Sequence, residues 1–286
     1  MNLRNLIHSA WPVLVLVLAA CGSLPSQPPR FDAADAANRR AAESFGRGEH
    51  TAALEHAKQA QALAASIEYE NGMADAQINL SIIYGRLGQS KDAIAAARTI
   101  LLAGDRMPIA RRAEAALRLA ILASDATDTV TATRHLGEAE AWCATPCALA
   151  GKIANSRAHL ALKTGSLAEA LRFADAGQQI NRNRADREEL ANSLRIWANA
   201  ALLAGRAAEA TAPLREALET DKQLGLPRKI YRDLLLLGLA TSALNDHPTA
   251  ISYLQRAADV AQGDGDAAAI GEVAGIISDL NQGNTK

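Results

Sequence analysis

Aromatic side chains are scarce in this sequence. Trp, Tyr and Phe make up 3% of 286 residues, although 49% are hydrophobic. A sandwich or barrel needs β-branched and aromatic strands at regular spacing, and no such series is present. Nine prolines and 19 glycines are too few for a collagen-like or disordered chain. Neither sign of charge dominates. With 30 Lys and Arg against 31 Asp and Glu, the basic excess of a nucleic-acid binder is missing. Gly-x-Ser-x-Gly, His-Glu-x-x-His and phosphate-cradling glycine loops are all lacking, and the six histidines are scattered. No catalytic, cofactor-binding or metal-ligating constellation emerges. Alanine fills the apolar fraction instead, with 64 residues. It is the best intrinsic helix former, and its small side chain lets helices approach closely. The composition predicts an all-α body.

The first 20 residues are built differently. Arg4 supplies a positive start, and Val13 to Ala20 form an uncharged apolar run. The run is shorter than the roughly 20 residues that span a membrane, and it fits an export signal. It ends Leu18-Ala19-Ala20-Cys21-Gly22. That order resembles the lipobox of bacterial lipoproteins. The resemblance implies cleavage before Cys21 and lipidation of Cys21. Because Gly22 follows rather than Asp, it also implies an outer-membrane destination facing the periplasm. A plain signal peptide with a coincidental cysteine is the alternative. Residues 21–32 follow as a tether, in which Ser23, Ser26, Pro25, Pro28 and Pro29 disfavour a helix.

From residue 33 to 262 one pattern recurs: an alanine, a small or apolar residue four later, and another three after that. The copies are Ala53/Ala57/Ala60, Ala93/Ala97/Ile100, Ala132/Leu136/Ala139, Ala170/Ala174/Gly177, Ala210/Leu214/Ala217 and Ala250/Leu254/Ala257, and the first alanines are 40, 39, 38, 40 and 40 residues apart. The spacing puts each triplet on one helix face, and the steady period predicts stacked helical hairpins. Gly88, Gly165 and Gly205 sit where the first helix of a hairpin would end in left-handed geometry. Residue types around them, such as Leu80, Ser81, Tyr84, Gly88, Ala93 and Ala97, resemble the tetratricopeptide repeat. So do Trp197, Ala198, Gly205, Ala210, Leu214 and Ala217. The resemblance implies a right-handed α-solenoid of about six hairpins. The period exceeds the usual figure of about 34 residues, which predicts longer helices. Residues 263–286 read as a capping helix and tail, with Asp266 as N-cap; Gly271 and Gly275 are expected to mark close helix packing.

Cys143 and Cys147 fall in Trp142-Cys143-Ala144-Thr145-Pro146-Cys147, where Pro146 predicts a break between the third and fourth hairpins. An exported chain meets an oxidising compartment, so a disulfide is the default. Two free thiols, or a redox or metal role, are the alternatives.

In the resembled family the concave surface binds protein or peptide segments, through fixed positions of each hairpin's first helix. Those positions hold Ile78, Ile82, Leu117 and Ile121 in the second and third hairpins. They hold Lys152, Asn155 and His159 in the fourth, Asn192, Arg195 and Asn199 in the fifth, and Arg232, Leu235 and Leu239 in the sixth. Arg, Lys and Asn can donate several hydrogen bonds to a carboxylate or an extended backbone. A clamp for an acidic or C-terminal segment is one expectation; a solvated face without a ligand is the other. Asn181, Arg182, Asn183, Arg184 and Arg187 form a second basic cluster, expected in a solvated loop. The sequence thus predicts a lipid-anchored, non-enzymatic adaptor for an envelope assembly, such as outer-membrane biogenesis, secretion, pilus or cell-wall machinery. No cofactor and no nucleic-acid partner are expected. An envelope hydrolase or its activator, and a self-assembling structural lipoprotein, are the rivals.

Overall fold

A computed structural model describes residues 29–143 and 145–283; Cys21 and the export signal lie outside the described residues. Among the described residues are thirteen α-helices, a short 3-10 helix at Gly104–Arg106, and no strand. The helices pair as α1 (Pro29–Gly46) with α2 (His50–Ala65), α3 (Glu70–Arg86) with α4 (Ser90–Leu102), and α5 (Ile109–Asp125) with α6 (Thr129–Trp142). The second half pairs α7 (Ala150–Lys163) with α8 (Leu167–Asn183), α9 (Arg187–Leu203) with α10 (Ala207–Leu224), and α11 (Pro227–Ala243) with α12 (His247–Gly263). A last helix, α13 (Ala267–Asn281), packs on α12. Each hairpin packs chiefly on its neighbours in sequence, so the chain is an α-solenoid of six hairpins and a cap.

The repeated triplets explain this stacking. All of their alanines are fully buried, as are Ile100, Leu214 and Leu254, while Leu136 is 1% exposed and Gly177 is buried. A methyl or a hydrogen at these positions lets the second helix lie close against the first. Larger side chains beside them close the core, where a fully buried Leu or Ile contributes about 1.5–3 kcal/mol.

The turns keep the same period. Gly48, Gly88, Thr127, Gly165, Gly205 and Asn245 all have positive φ, between 60° and 79°, and end the first helix of each hairpin. Glycine takes this conformation freely and asparagine tolerates it, but a β-branched threonine is strained there. The second helices of the third and sixth hairpins, α9, and the cap are started by aspartates. Asp128, Asp246, Asp186 and Asp266 accept from the backbone N–H of Thr131, Thr249, Glu189 and Ala269 at 3.0–3.2 Å.

Three expectations need correction. The first helix begins at Pro29, inside the segment read as tether, because proline's missing N–H costs nothing in a helix's first turn. Gly271 and Gly275 do not mark close packing: a Cβ on either would meet nothing within 4 Å. The close approaches are at Gly72, Gly85, Gly151, Gly177 and Gly238, where an added Cβ would meet Tyr69, Arg118, Asn181, Asn155 and Leu254 at 2.7 Å or less. The basic cluster spans the α8–α9 connection, and Arg182, Asn183, Arg184 and Arg187 are exposed as expected, but it is not all loop or all solvated. Asn181 and Arg182 lie in the last turn of α8, and Asn181 is buried. Arg182 pairs with Glu216, Arg184 donates to the Cys147 carbonyl and Arg187 to Gln223.

Cys143 ends α6 and Cys147 precedes α7; their sulfurs are bonded, with Cα atoms 5.1 Å apart. This is also where consecutive helices pack least closely: the backbones of α6 and α7 approach each other at fewer places than those of any other neighbouring pair.

Two substitutions test the packing and turn arguments. Ala210→Leu forces extra methyl groups between α9 and α10 and is expected to destabilise the chain by about 1–3 kcal/mol. Thr127→Gly relieves the left-handed turn and is expected to stabilise it by about 1 kcal/mol. Chemical denaturation monitored by far-ultraviolet circular dichroism reads both.

Candidate functional site

The first helices of the hairpins line the concave face, and α5, α7, α9 and α11 enclose a cavity of about 510 Å³ there. All seven polar residues read from the sequence border it: Lys152, Asn155, His159, Asn192, Arg195, Asn199 and Arg232. Leu117, Ile121, Leu162, Ile196 and Leu236 supply its apolar surface. Leu235 and Leu239 do not line it; Leu235 is 3% exposed and both pack into the core around Leu234 and Leu254. The register of α11 brings Leu236, four residues from Arg232, to the groove instead. Ile78 borders a second, more polar hollow with Asp35, Asp75 and Arg111.

The seven residues divide into two groups. Asn155 is buried, and its amide donates to the carbonyl of Glu189 at 3.0 Å and to Glu189 Oε2 at 2.9 Å. Its oxygen accepts from Ser193 Oγ at 2.7 Å. Asn181 donates to the same Ser193 oxygen at 3.0 Å. Gly151 and Gly177 leave room for these amides. The result is a polar knot joining α7, α8 and α9. Asn192 donates to Glu189 Oε2 at 3.2 Å.

Arg195 is committed more fully. Its Nε donates to Asp233 Oδ1 at 2.6 Å, an Nη1 hydrogen goes to Asn192 Oδ1 at 2.9 Å, and Nη2 donates to Asp233 Oδ2 at 3.3 Å and to Asp221. Both aspartate side chains are fully buried. Burial raises both carboxyls above the ordinary range, while the Arg195 charge opposes the rise. Asn155 and Arg195, expected to face a ligand, thus bind the chain's own hairpins together. Their donors are satisfied internally because each faces a partner one repeat away.

Lys152, Asn199 and Arg232 form no hydrogen bond or ion pair with any described residue, and Lys152 and Arg232 are exposed. His159 keeps an exposed edge, yet the groove walls desolvate its ring. That lowers its pKa below the usual 6.5; Lys163 and Arg232 push the same way, and Asp125 opposes them. The groove thus presents two unpaired cations, one free amide and a neutral imidazole beside aliphatic walls. Such a surface can accept a carboxylate next to an aliphatic side chain.

Sequence reasoning missed Asp221, Asp233, Ser193 and Glu189. The repeat held a signal for two of them: Asp233 is 38 residues from Arg195 and Ser193 is 38 from Asn155, one period along.

No protein-family signature matches the sequence, and no characterised protein aligns with it significantly. Solved structures do share the fold. PilF of Pseudomonas aeruginosa superposes with a TM-score of 0.54 at 18% identity, over 87% of this chain and 99% of that one. A Rap protein, solved in complex with competence and sporulation factor, gives 0.61 at 14% identity, over 87% of this chain and 74% of that one. At these identities the likeness establishes a tetratricopeptide-like solenoid.

Arg195→Met leaves two buried carboxyls facing no cation. It is expected to cost about 3–5 kcal/mol of stability. Asn199→Ala is expected to change stability by less than about 0.5 kcal/mol. Urea titrations of the two variants separate the committed residues from the free ones.

Proposed function

We propose that this chain is a non-enzymatic adaptor whose groove holds an acidic or carboxylate-ending segment of a protein partner. The observation that carries this reading is the pair Lys152 and Arg232, unpaired and exposed on the walls of a largely aliphatic cavity. An ion pair inside the chain would have neutralised them, as the Asp221 and Asp233 pair neutralises Arg195. Left open, they offer charge-assisted hydrogen bonds, while Leu117, Ile121 and Leu236 offer apolar contact to a side chain beside the carboxylate. Asn199 can hold the backbone of an extended segment. The complex of the Rap protein with competence and sporulation factor supports partner binding as a use of this fold.

The adaptor is proposed to work at the outer membrane, facing the periplasm and held by lipid on Cys21. The residue order around Cys21 supports this placement, and the bonded Cys143 and Cys147 suit an oxidising compartment. An envelope assembly such as outer-membrane biogenesis, secretion, pilus or cell-wall machinery is the proposed setting.

Crosslinking in cells, followed by mass spectrometry, identifies partners whose C-terminal peptides can then be assayed. Lys152→Ala together with Arg232→Ala is expected to weaken binding of a carboxylate-ending peptide at least 10-fold. Amidating the peptide's C-terminus should do the same to the unaltered chain, and unchanged affinity in both arms would remove the clamp. Metabolic labelling with palmitate is expected to mark the chain and to fail on Cys21→Ser.

A further inference from the structure

The groove wall at Arg195 has a charge imbalance behind it. Asp221 on α10 and Asp233 on α11 are both fully buried, and they share one guanidinium. Two ionised carboxylates would leave one negative charge buried and unpaired, which is costly in a low-dielectric interior. Asp221 Oδ1 has no hydrogen-bond partner among the described residues. It is an acceptor facing no donor. One proton on the pair removes both problems, because a protonated Asp233 can donate to Asp221 while still accepting from Arg195. The other charges acting on the pair are Glu188 of α9 and Lys229 of α11, which offset one another in an ion pair at 2.8 Å. Arg256 and Asp259 of α12 are exposed.

We propose that Asp221 and Asp233 hold one proton between them, and that this proton sets the charge of the groove wall at Arg195. With the proton present the three groups are neutral together, and the groove retains an anionic segment. With the proton lost they carry one negative charge and the segment is released. The ligand half of this statement rests on the groove function proposed above; the proton half does not. Burial, opposed by Arg195 and reinforced by the neighbouring Asp221 charge, pushes Asp233 up to about 7. The transition therefore falls near neutrality and belongs to the pair.

The sign for stability follows from linkage. The native chain binds this proton more tightly than the unfolded chain, whose aspartates titrate near 3.9. The proton-linked stability is complete below about pH 4, declines as pH rises, and levels off above about pH 7. Asp233→Asn replaces the protonated carboxyl by an amide that can donate to Asp221 and accept from Arg195 without titrating.

Carboxyl-carbon NMR of the full chain tests the proton directly. One aspartate carboxyl is expected to titrate near neutrality, and its transition should be absent from Asp233→Asn. Between pH 5 and pH 7.5 the melting temperature of that variant is expected to gain about 5 °C on the unaltered chain. Aspartates that all titrate below pH 5, or a melting gap that does not change with pH, would overturn the proposal. The NMR arm on the unaltered chain decides the proton even if the variant fails to fold. For the groove, a carboxylate-ending peptide is expected to bind the unaltered chain about 3- to 10-fold more weakly at pH 8 than at pH 6, with a smaller change in Asp233→Asn. Equal affinity at both pH values, with the proton observed, overturns the coupling. A peptide that binds at neither pH counts against the clamp and leaves the proton to be judged by NMR.

Discussion

The distance at which paired helices meet governs this molecule. Fully buried alanines at each crossing let α2 lie close against α1, α10 against α9 and α12 against α11. An added Cβ at Gly238 would come within 2.8 Å of Leu254, which shows how little room is left. The period of the alanines and the period of the left-handed turn residues coincide, because both mark the same point in each hairpin. Stacking hairpins of nearly equal length aligns their first helices side by side. That alignment makes the concave surface, and with it the groove.

Contacts between methyl groups bring helices together without fixing which residue faces which. The register between hairpins comes from polar bonds that reach one repeat along. Asn79 donates to Asn38, Arg118 to Ser81, Lys163 to the Ser124 carbonyl, Asn155 to Glu189, Arg195 to Asp233 and Tyr231 to Glu272, across separations of 34 to 41 residues. Each adds about 1 kcal/mol net when formed, but a buried partner left alone costs more. A slipped register would leave several such groups alone at once. Burial lowers the pKa of the Arg118 guanidinium from the ordinary arginine value, so that tie in particular is costly to leave unmade.

The solenoid was legible in the sequence because its constraint is periodic. Ala53, Ala93, Ala132, Ala170, Ala210 and Ala250 repeat one requirement, and a repeated requirement leaves a pattern. Groove membership was legible for the same reason, since Lys152, Asn192 and Arg232 occupy equivalent positions, 40 residues apart, on successive first helices. Whether a groove residue is free was not legible. Arg195 and Arg232 have the same side chain and comparable positions, and only the carboxyls of Asp221 and Asp233 separate them. Those aspartates come from different helices and converge only on folding. The glycines went astray in a related way: Gly151 and Gly271 look alike in a helical sequence, but only Gly151 has a neighbour, Asn181, that needs the space.

A stack of hairpins behaves mechanically as a spring, and a spring yields first where its coils are least bound. Here that place is between α6 and α7, whose backbones approach each other least among neighbouring helices. The bond between Cys143 and Cys147 spans that joint. It shortens the free connection between the end of α6 and the start of α7. The groove straddles that joint, because Leu117 and Ile121 lie on one side of it and Lys152, Asn199 and Arg232 on the other. The width of the groove therefore depends on the angle held at that joint.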